Sequence, residues 1–529
     1  MKLVIDYKNR SIDNFRFQNF RTRAFLVVAE ECSIHFNLPT DPSLKKRLAP
    51  LNFNLPLVWA CGYCLLLIGC SSYQSTPVPQ VLPDPNRTTH FSNKKGSYQD
   101  PGQWWRQFEQ KGLDQWMEKT LKSNPSVLVS KARVEQKLAI RDQSWSTLFP
   151  NLNFKTSRSE TLRGKGAPQG SSGSVNLALE SSYQIDLFGE NSDNLKAAEY
   201  DLLGAVEDYK FSLATTSSNL AKAWFAYFES YEQLQLSAES LKADQANEEW
   251  IQGSYRRGQG QAVNVLLARE QVLASKLQTL NLETQLEQRA NRLRQITGEF
   301  PEHFVGQGRL PEPSDLLKIN AHVSSRGLSK RPEVAKAVLS LKSQDHRVAA
   351  AVAARFPRVS LSASMGTSAN QLSGLSDSAN LFTTLVGNLT LPIFDMGGRK
   401  AEVKRQEKIL QELLATYKKT LLQAYSDAQN ALSRTTHSRL RWQVLKEQIR
   451  LSKERVQLTK SGYLQGLNTW DQVLSAQQQS YNYQKSILAE KRTWAEARVD
   501  LFTSLGGNWQ TEFLKSSEQT VQEKIKENP

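Results

Sequence analysis

Cys61-x-x-Cys64 has the spacing of a redox thiol pair or of half a metal site. Both thiols stand inside an apolar run, Leu55–Gly69, interrupted only by Pro56 and Gly62, so neither chemistry is expected of them. The six histidines, His35, His90, His303, His322, His346 and His437, are scattered, and none sits at metal-ligand spacing. Glu180 and Asp186 are the acid pair worth weighing for proton transfer. Glu180 falls within a strand-like pattern and Asp186 at its exit, with no surrounding site. No Gly-rich phosphate loop and no nucleophile elbow occurs. The sequence therefore points away from an enzyme, and no metal and no cofactor is expected.

One thiol remains, Cys70. Lys45-Lys46-Arg47 precedes the apolar run, and no further charge appears until Asp84. A basic cluster, a short apolar region and small residues make the layout of a secretory signal, too short to span a bilayer as a helix of about 20 residues. Leu67-Ile68-Gly69-Cys70 resembles a bacterial lipobox, in which cleavage precedes a cysteine that carries diacylglycerol. Cys70 is thus the expected lipidation site and mature N-terminus. Residues 1–69 read as a mis-called extension, with translation starting near Leu44, followed by a lipoprotein signal peptide. No cysteine follows Cys70, so the mature chain makes no internal disulfide. Residues 70–100, with Pro77, Pro79, Pro83 and Pro85, read as an extended tether.

The net charge is +15 over 529 residues. Basic and acidic residues alternate along helical stretches such as Glu402–Lys408, which marks a solvated helix face. No nucleic-acid partner is expected.

The elements that carry these residues come in duplicate. Pro125 and Pro332, and Phe149 and Phe356, are separated by 207 positions. Gly189 and Gly397, Tyr255 and Tyr463, Gly258 and Gly466, Leu266 and Leu474, and Gly298 and Gly506 are separated by 208. The expected divisions are a first repeat at 101–310, a second at 311–507 and a tail at 508–529. Each repeat runs from a helix ending at Phe-Pro, through a strand pair (near 151–185 and 358–391), to a long helical hairpin. The hairpin tips fall near 255–260 and 462–468. In Ser174–Ile185 the odd positions Val175, Leu177, Leu179, Tyr183 and Ile185 are apolar, whereas Asn176, Glu180, Ser182 and Gln184 are polar. Alternation of this kind over about 10 residues is the pattern of an outer-membrane barrel strand, with Leu177, Leu179 and Tyr183 toward lipid. The partner segment Leu381–Leu391 alternates less cleanly, since Phe382 and Val386 fall on its polar side. Helical runs near 192–253 and 399–461 turn at the glycines, and Leu266, Leu273, Leu277 and Leu280 on a returning helix suggest coiled-coil packing. Four strands cannot close a barrel, and lipid does not tolerate open strand edges. If these are membrane strands and not strands of a soluble sandwich, several chains must share one barrel.

The order of "LFPNLNF", "YQIDLFGE", "RPEVAKA", "RFPRVSLSAS", "LPIFDMGGR" and "GYLQGLNTWDQVLSAQQQ" resembles the TolC-like outer membrane efflux proteins, closest to the OprM/NodT-type lipoproteins. The resemblance covers nearly everything from Cys70 to Gly507. It implies a mainly α fold with a membrane β-barrel portion: a homotrimer whose duplicated hairpins form a periplasmic α-barrel and whose chains each give four strands to a shared twelve-stranded barrel. It also implies a passive exit duct in a tripartite system, with a periplasmic adaptor and a proton-driven or ATP-driven inner-membrane pump as partners. Serine after Cys70 resembles the outer-membrane sorting pattern. Drug, dye, solvent and peptide cargo all stay open. The alternative reading is a periplasmic adaptor lipoprotein, which resembles a single hairpin between soluble strands. This chain departs from the family at Leu474-Ser475-Ala476-Gln477, where the family often has "LDAQ". The remaining candidates for a periplasmic gate are Asp471, Arg256, Arg257 and Tyr463. Thr469 and Gln472 fit a capping box there as well.

Overall fold

The computed structural model describes residues 103–161, 172–300, 308–313 and 328–505. Cys70, the tether and the tail lie outside them. A short 3-10 turn, Trp104–Phe108, leads into α1 (Lys111–Ser123) and α2 (Pro125–Ser146). Asn124 ends the first helix and caps the second: its side chain accepts from the Ser126 and Val127 amides, with Pro125 at the first helical position. Then follow β1 (Asn151–Thr161), β2 (Ser172–Ile185), α3 (Glu190–Arg256) and α4 (Ala262–Thr297). The second repeat gives α5 (Pro332–Ala353), β3 (Arg358–Ala369), β4 (Leu381–Thr390), α6 (Gly398–Leu464) and α7 (Trp470–Ser504). At 1.5 Å per residue, the 67 residues of α3 extend for about 100 Å, and α6 has the same count.

The strands make one antiparallel sheet in the order β1-β2-β3-β4. Directly paired residues share a face. One face carries Phe154, Leu179 and Met365 in a row, with Leu361, Leu385 and Leu389 beside it. The other carries Asn153, Glu180, Ser364 and Thr384, and Asn176 and Ser368. Phe382 lies opposite Gly366 and Val386 opposite Ser362, on the polar face, as the irregular alternation of β4 requires. Gly366 is needed there, because a Cβ would meet the Leu177 carbonyl and Ala178 of the next strand.

The helices pack side by side. Within the chain α6 lies against α7, α7 against α3 and α3 against α4, while α2 and α5 pack on α3, and α5 also on α6. The main core gathers Leu202, Leu220, Trp224, Phe225 and Phe228 of α3 with Trp104, Leu113 and Met117. Trp224 donates to the Gln110 carboxamide at 2.7 Å. The first buried positions of α4, Ala268, Ser275 and Leu282, step by seven, and so does one line of buried residues on α6, from Val403 through Leu410, Tyr417, Ala424, Ala431 and Ser438, with Leu421 and Ala428 beside it. A strict repeat of seven imposes left-handed supercoiling. The sequence-based expectation for α4 is corrected within the chain: Leu266, Leu273, Leu277 and Leu280 are all exposed there, and the line that α4 buries is Ala268, Ser275 and Leu282. Among the described residues no helix is long and apolar enough to cross a membrane.

Candidate functional site: the sheet faces and the hairpin tips

Two places can act on a solute or a membrane. At the sheet, Leu179 is 49% exposed and Met365 62%, while Leu385 and Leu389 each reach 71%. Leu177 and Tyr183 are half-buried on the same face. So much exposed hydrocarbon on one side of a sheet marks a surface meant for an apolar neighbour. The opposite face is polar, with Lys155 3.5 Å from Glu180. Asp186, the other candidate acid, accepts hydrogen bonds from the Asn191 and Ser192 amides at 3.1 and 2.8 Å and so caps α3. The two carboxylates have separate structural partners and form no catalytic pair.

At the other ends of the hairpins, both tips are built alike. Gly258 and Gly466 adopt φ of +74°, the left-handed region that favours glycine. Gly258 and Gln259 donate to the Tyr255 and Ser254 carbonyls at 2.9 and 3.0 Å; Gly466 and Leu467 donate to Tyr463 and Gly462 at 3.0 and 2.8 Å. Each tip is therefore a Schellman turn. Gly462 is helical, and its role is space: a Cβ there would strike the Asn468 amide, which donates to the Thr459 carbonyl at 3.2 Å.

Tyr463 packs with Trp470, ring centroids 5.3 Å apart, and Trp250 of α3 lies 5.8 Å from Tyr463 and 6.2 Å from Trp470. Ile251, Ala268 and Val473 complete this cluster. The aromatic contact ties the first hairpin to the second. Trp250, 213 positions before Tyr463, gives no sequence signal for it beyond being a tryptophan among Glu, Gln and Asn. Thr469 and Gln472 form the capping box in full, the Thr469 amide donating to Gln472 at 3.0 Å and the Gln472 amide to Thr469 at 3.4 Å. Asp471 takes no part in that cap. Asp471 is exposed, without an ion pair or hydrogen-bond partner among the described residues, and so is Arg256. Arg257 donates to Ser254 and Gln259 of its own tip, both at 3.3 Å. Within one chain, then, the arginines and Asp471 do not meet.

Eleven residues before Tyr255, Asp244 is buried on α3. It accepts from Ser275 at 2.5 Å and Gln271 at 3.2 Å, and Gln478 of α7 donates to Gln271 at 2.7 Å. Burial pushes the Asp244 carboxyl above its usual range, against the two donors that pull it down. Among the described residues no group of His, Cys, Asp and Glu could hold a metal ion.

The chain thus presents a four-stranded sheet with one apolar and one polar face, and two duplicated hairpins that turn at glycine tips. The outer membrane efflux protein family model matches residues 116–299 and 323–507, and the chain belongs to that family. It is 28% identical over 480 residues to the pyoverdine export outer membrane protein OpmQ of Pseudomonas aeruginosa, covering 87% of this chain and 98% of that protein. It is 25% identical over 453 residues to the probable outer membrane lipoprotein SilC of Salmonella typhimurium, covering 84% and 97%. Among solved structures it resembles the Campylobacter jejuni CmeC outer membrane channel with a TM-score of 0.77, at 21% identity over 85% of this chain and 98% of that one. The protein is an outer membrane efflux channel, a conduit and not an enzyme. The adaptor reading falls, because the match takes in both hairpins and both strand pairs.

Proposed function

We propose that three copies close into one duct, lipid-anchored through Cys70, that passes small solutes from a periplasmic adaptor and an inner-membrane pump to the exterior. The observation that carries this reading is the sheet: one apolar exposed face, one polar face and two unpaired edges, β1 and β4. Unpaired edges cost several kcal/mol per backbone group in lipid, so a four-stranded sheet there requires neighbours on both sides. Three such sheets give the twelve strands of one barrel. The helices support the same closure. The row α6-α7-α3-α4 has α6 and α4 at its edges, and each edge carries exposed apolar residues at steps of seven, Val444, Leu451 and Leu458 on α6 and Leu266, Leu273 and Leu280 on α4. A head-to-tail contact between such edges closes a ring.

The tips are the gate in this reading. Thr469 and Gln472 supply the cap, which leaves Asp471 available. Around a three-fold axis its copies make a ring of carboxylates that favours cations. Arg256, and Arg257 once released from Ser254 and Gln259, are the counter-charges of an adjacent tip, with Tyr463 holding the tip's shape. One preparation tests the whole: outer membranes from cells fed a palmitate analogue. Label is expected on the full chain and lost in Cys70→Ser. In planar bilayers Asp471→Ala and Arg257→Ala are expected to raise single-channel conductance, Asp471→Ala with weaker cation preference. Label surviving Cys70→Ser overturns the anchor; unchanged conductance in both tip variants removes these residues from the gate; no conductance at all overturns the duct.

A further inference from the structure

The packing of α3 on α4 turns polar as it nears the tip. Ser230, Ser237, Asp244 and Ile251 step by seven along α3, and all four are buried. Ser237 shares a hydrogen bond with Thr279 of α4 at 3.0 Å, and Asp244 accepts from Ser275 and Gln271 of the same helix. A hydroxyl is satisfied in such a place at little cost; a carboxylate is not, because its charge also needs compensation. Asp244 is the one acid among these four. Its Oδ2 takes both bonds, and the Gln271 carboxamide that donates one of them accepts from Gln478 of α7 at 2.7 Å. Three helices from both hairpins thus meet at one carboxyl. One heptad toward the tip, Ile251 and Ala268 join Trp470 and Val473 in the cluster that ties the hairpins together.

Among the described residues no cation compensates this carboxyl. The charged residues flanking the cluster along the three helices are Lys242 and Glu248 on α3, Glu270 and Lys276 on α4, and Asp471 and Lys485 on α7, and none of them adds to the charge it feels. What acts on it is burial, which favours the neutral acid, and two neutral donors, which favour the anion; burial prevails. A proton on Oδ1 leaves both hydrogen bonds in place, since Ser275 and Gln271 donate to Oδ2. An ionised Asp244 keeps those bonds and strands a charge.

We infer that Asp244 is a proton-operated latch: neutral, it holds α3 to α4 and, through Gln271, to α7; ionised, it loosens all three and lets the tip open. The inference rests on the duct and the tip gate proposed above. Linkage sets its sign. A carboxyl held above its ordinary range in the packed tip supports that packing in full below the ordinary range, and the support is lost as pH rises through the raised value. Acid therefore closes the tip, and less acid solution loosens it. The second repeat carries a built-in contrast. Ser452 stands 208 after Asp244, is buried as well, and bonds to Ser480 of α7 at 3.1 Å. A serine there has no charge to gain or lose, so the latch belongs to the first hairpin, one to each chain.

The test uses the full-length chain extracted from outer membranes in detergent. The parent is compared with Asp244→Asn and with Asp244→Ser, which copies the second repeat, between about pH 5 and about pH 8. In thermal unfolding both variants are expected to gain on the parent as pH rises. In planar bilayers the open probability of the parent is expected to rise with pH, by up to about tenfold for each pH unit by which closure raises the titration of the carboxyl. The two variants lose that rise and stay near the parent's acid value throughout. Ser275→Ala removes a donor that favours the anion, so it is expected to move the midpoint of the rise to higher pH, a shift that loss of packing alone does not give. Curves that run parallel in the parent and both variants overturn the latch and leave the duct and its gate standing. So does a variant that departs from the parent in unfolding but not in open probability, and so does a midpoint that Ser275→Ala leaves in place or lowers. A parent that conducts at no pH overturns the duct, and the latch with it.

Discussion

The two long descending helices have one length and one kind of turn, yet unlike surfaces. α3 buries Leu202, Leu220, Trp224, Phe225 and Phe228, with aromatic rings on several sides. α6 buries little beyond its line at steps of seven, and leaves Leu422, Val444, Leu451 and Leu458 in the open. The cause is position: α3 has α1, α2, α4, α5 and α7 around it, whereas α6 has α5 and α7. Two helices with the same ancestry and the same backbone have been given different side chains because one lies inside the chain's own core and the other at its border. A leucine exposed on α6 is thus a statement about the assembly, and a buried one on α3 a statement about the fold.

The sharpest way to break that contrast is to truncate both. Trp224→Ala should destabilise the folded chain by about 3–5 kcal/mol, since it empties a fully buried site and takes the indole donor from the Gln110 Oε1. Leu451→Ala should leave the folded chain within about 0.5 kcal/mol and instead lower the yield of oligomer. Thermal unfolding and native gels of detergent-solubilised protein separate the two effects. Equal losses of folded chain from both would remove the distinction. The sheet faces offer the next test. Leu179→Lys should cost about 2–4 kcal/mol of barrel stability near the bilayer midplane, and Glu180→Lys on the polar face much less. Comparable yields of heat-resistant oligomer would reverse the assignment of the faces. The smallest effect lies at the tips, where the second has a side-chain cap and the first, at Gln261, has none. Thr469→Ala should cost about 1 kcal/mol, while Gln261→Ala should change nothing measurable in amide hydrogen exchange at the helix start.

The periodicities were readable in advance because they follow from backbone geometry. Alternation along Val175–Ile185 and the Phe-Pro corners place the strands, and Gly258 and Gly466 place the tips to within a few residues. Side-chain partners were not readable. Leu266, Leu273 and Leu280 look like the packed stripe of α4, yet the packed stripe is Ala268, Ser275 and Leu282. Two stripes at the same step are indistinguishable until the neighbour of each is known. Asp244 carried no signal either, since an aspartate on a polar helix reads as solvated; only the approach of Ser275 and Gln271 encloses it. The Trp250–Tyr463–Trp470 contact joins residues too far apart in sequence for any local pattern.

That aromatic contact also counts the moving parts of the gate proposed above. The contact fastens both hairpins of a chain together near their tips, and in that proposal each chain is expected to swing there as one body. A ring of three chains then has three shutters and not six. Opened one at a time, they pass through two partial apertures between shut and fully open, so a current record should step through two sublevels at most.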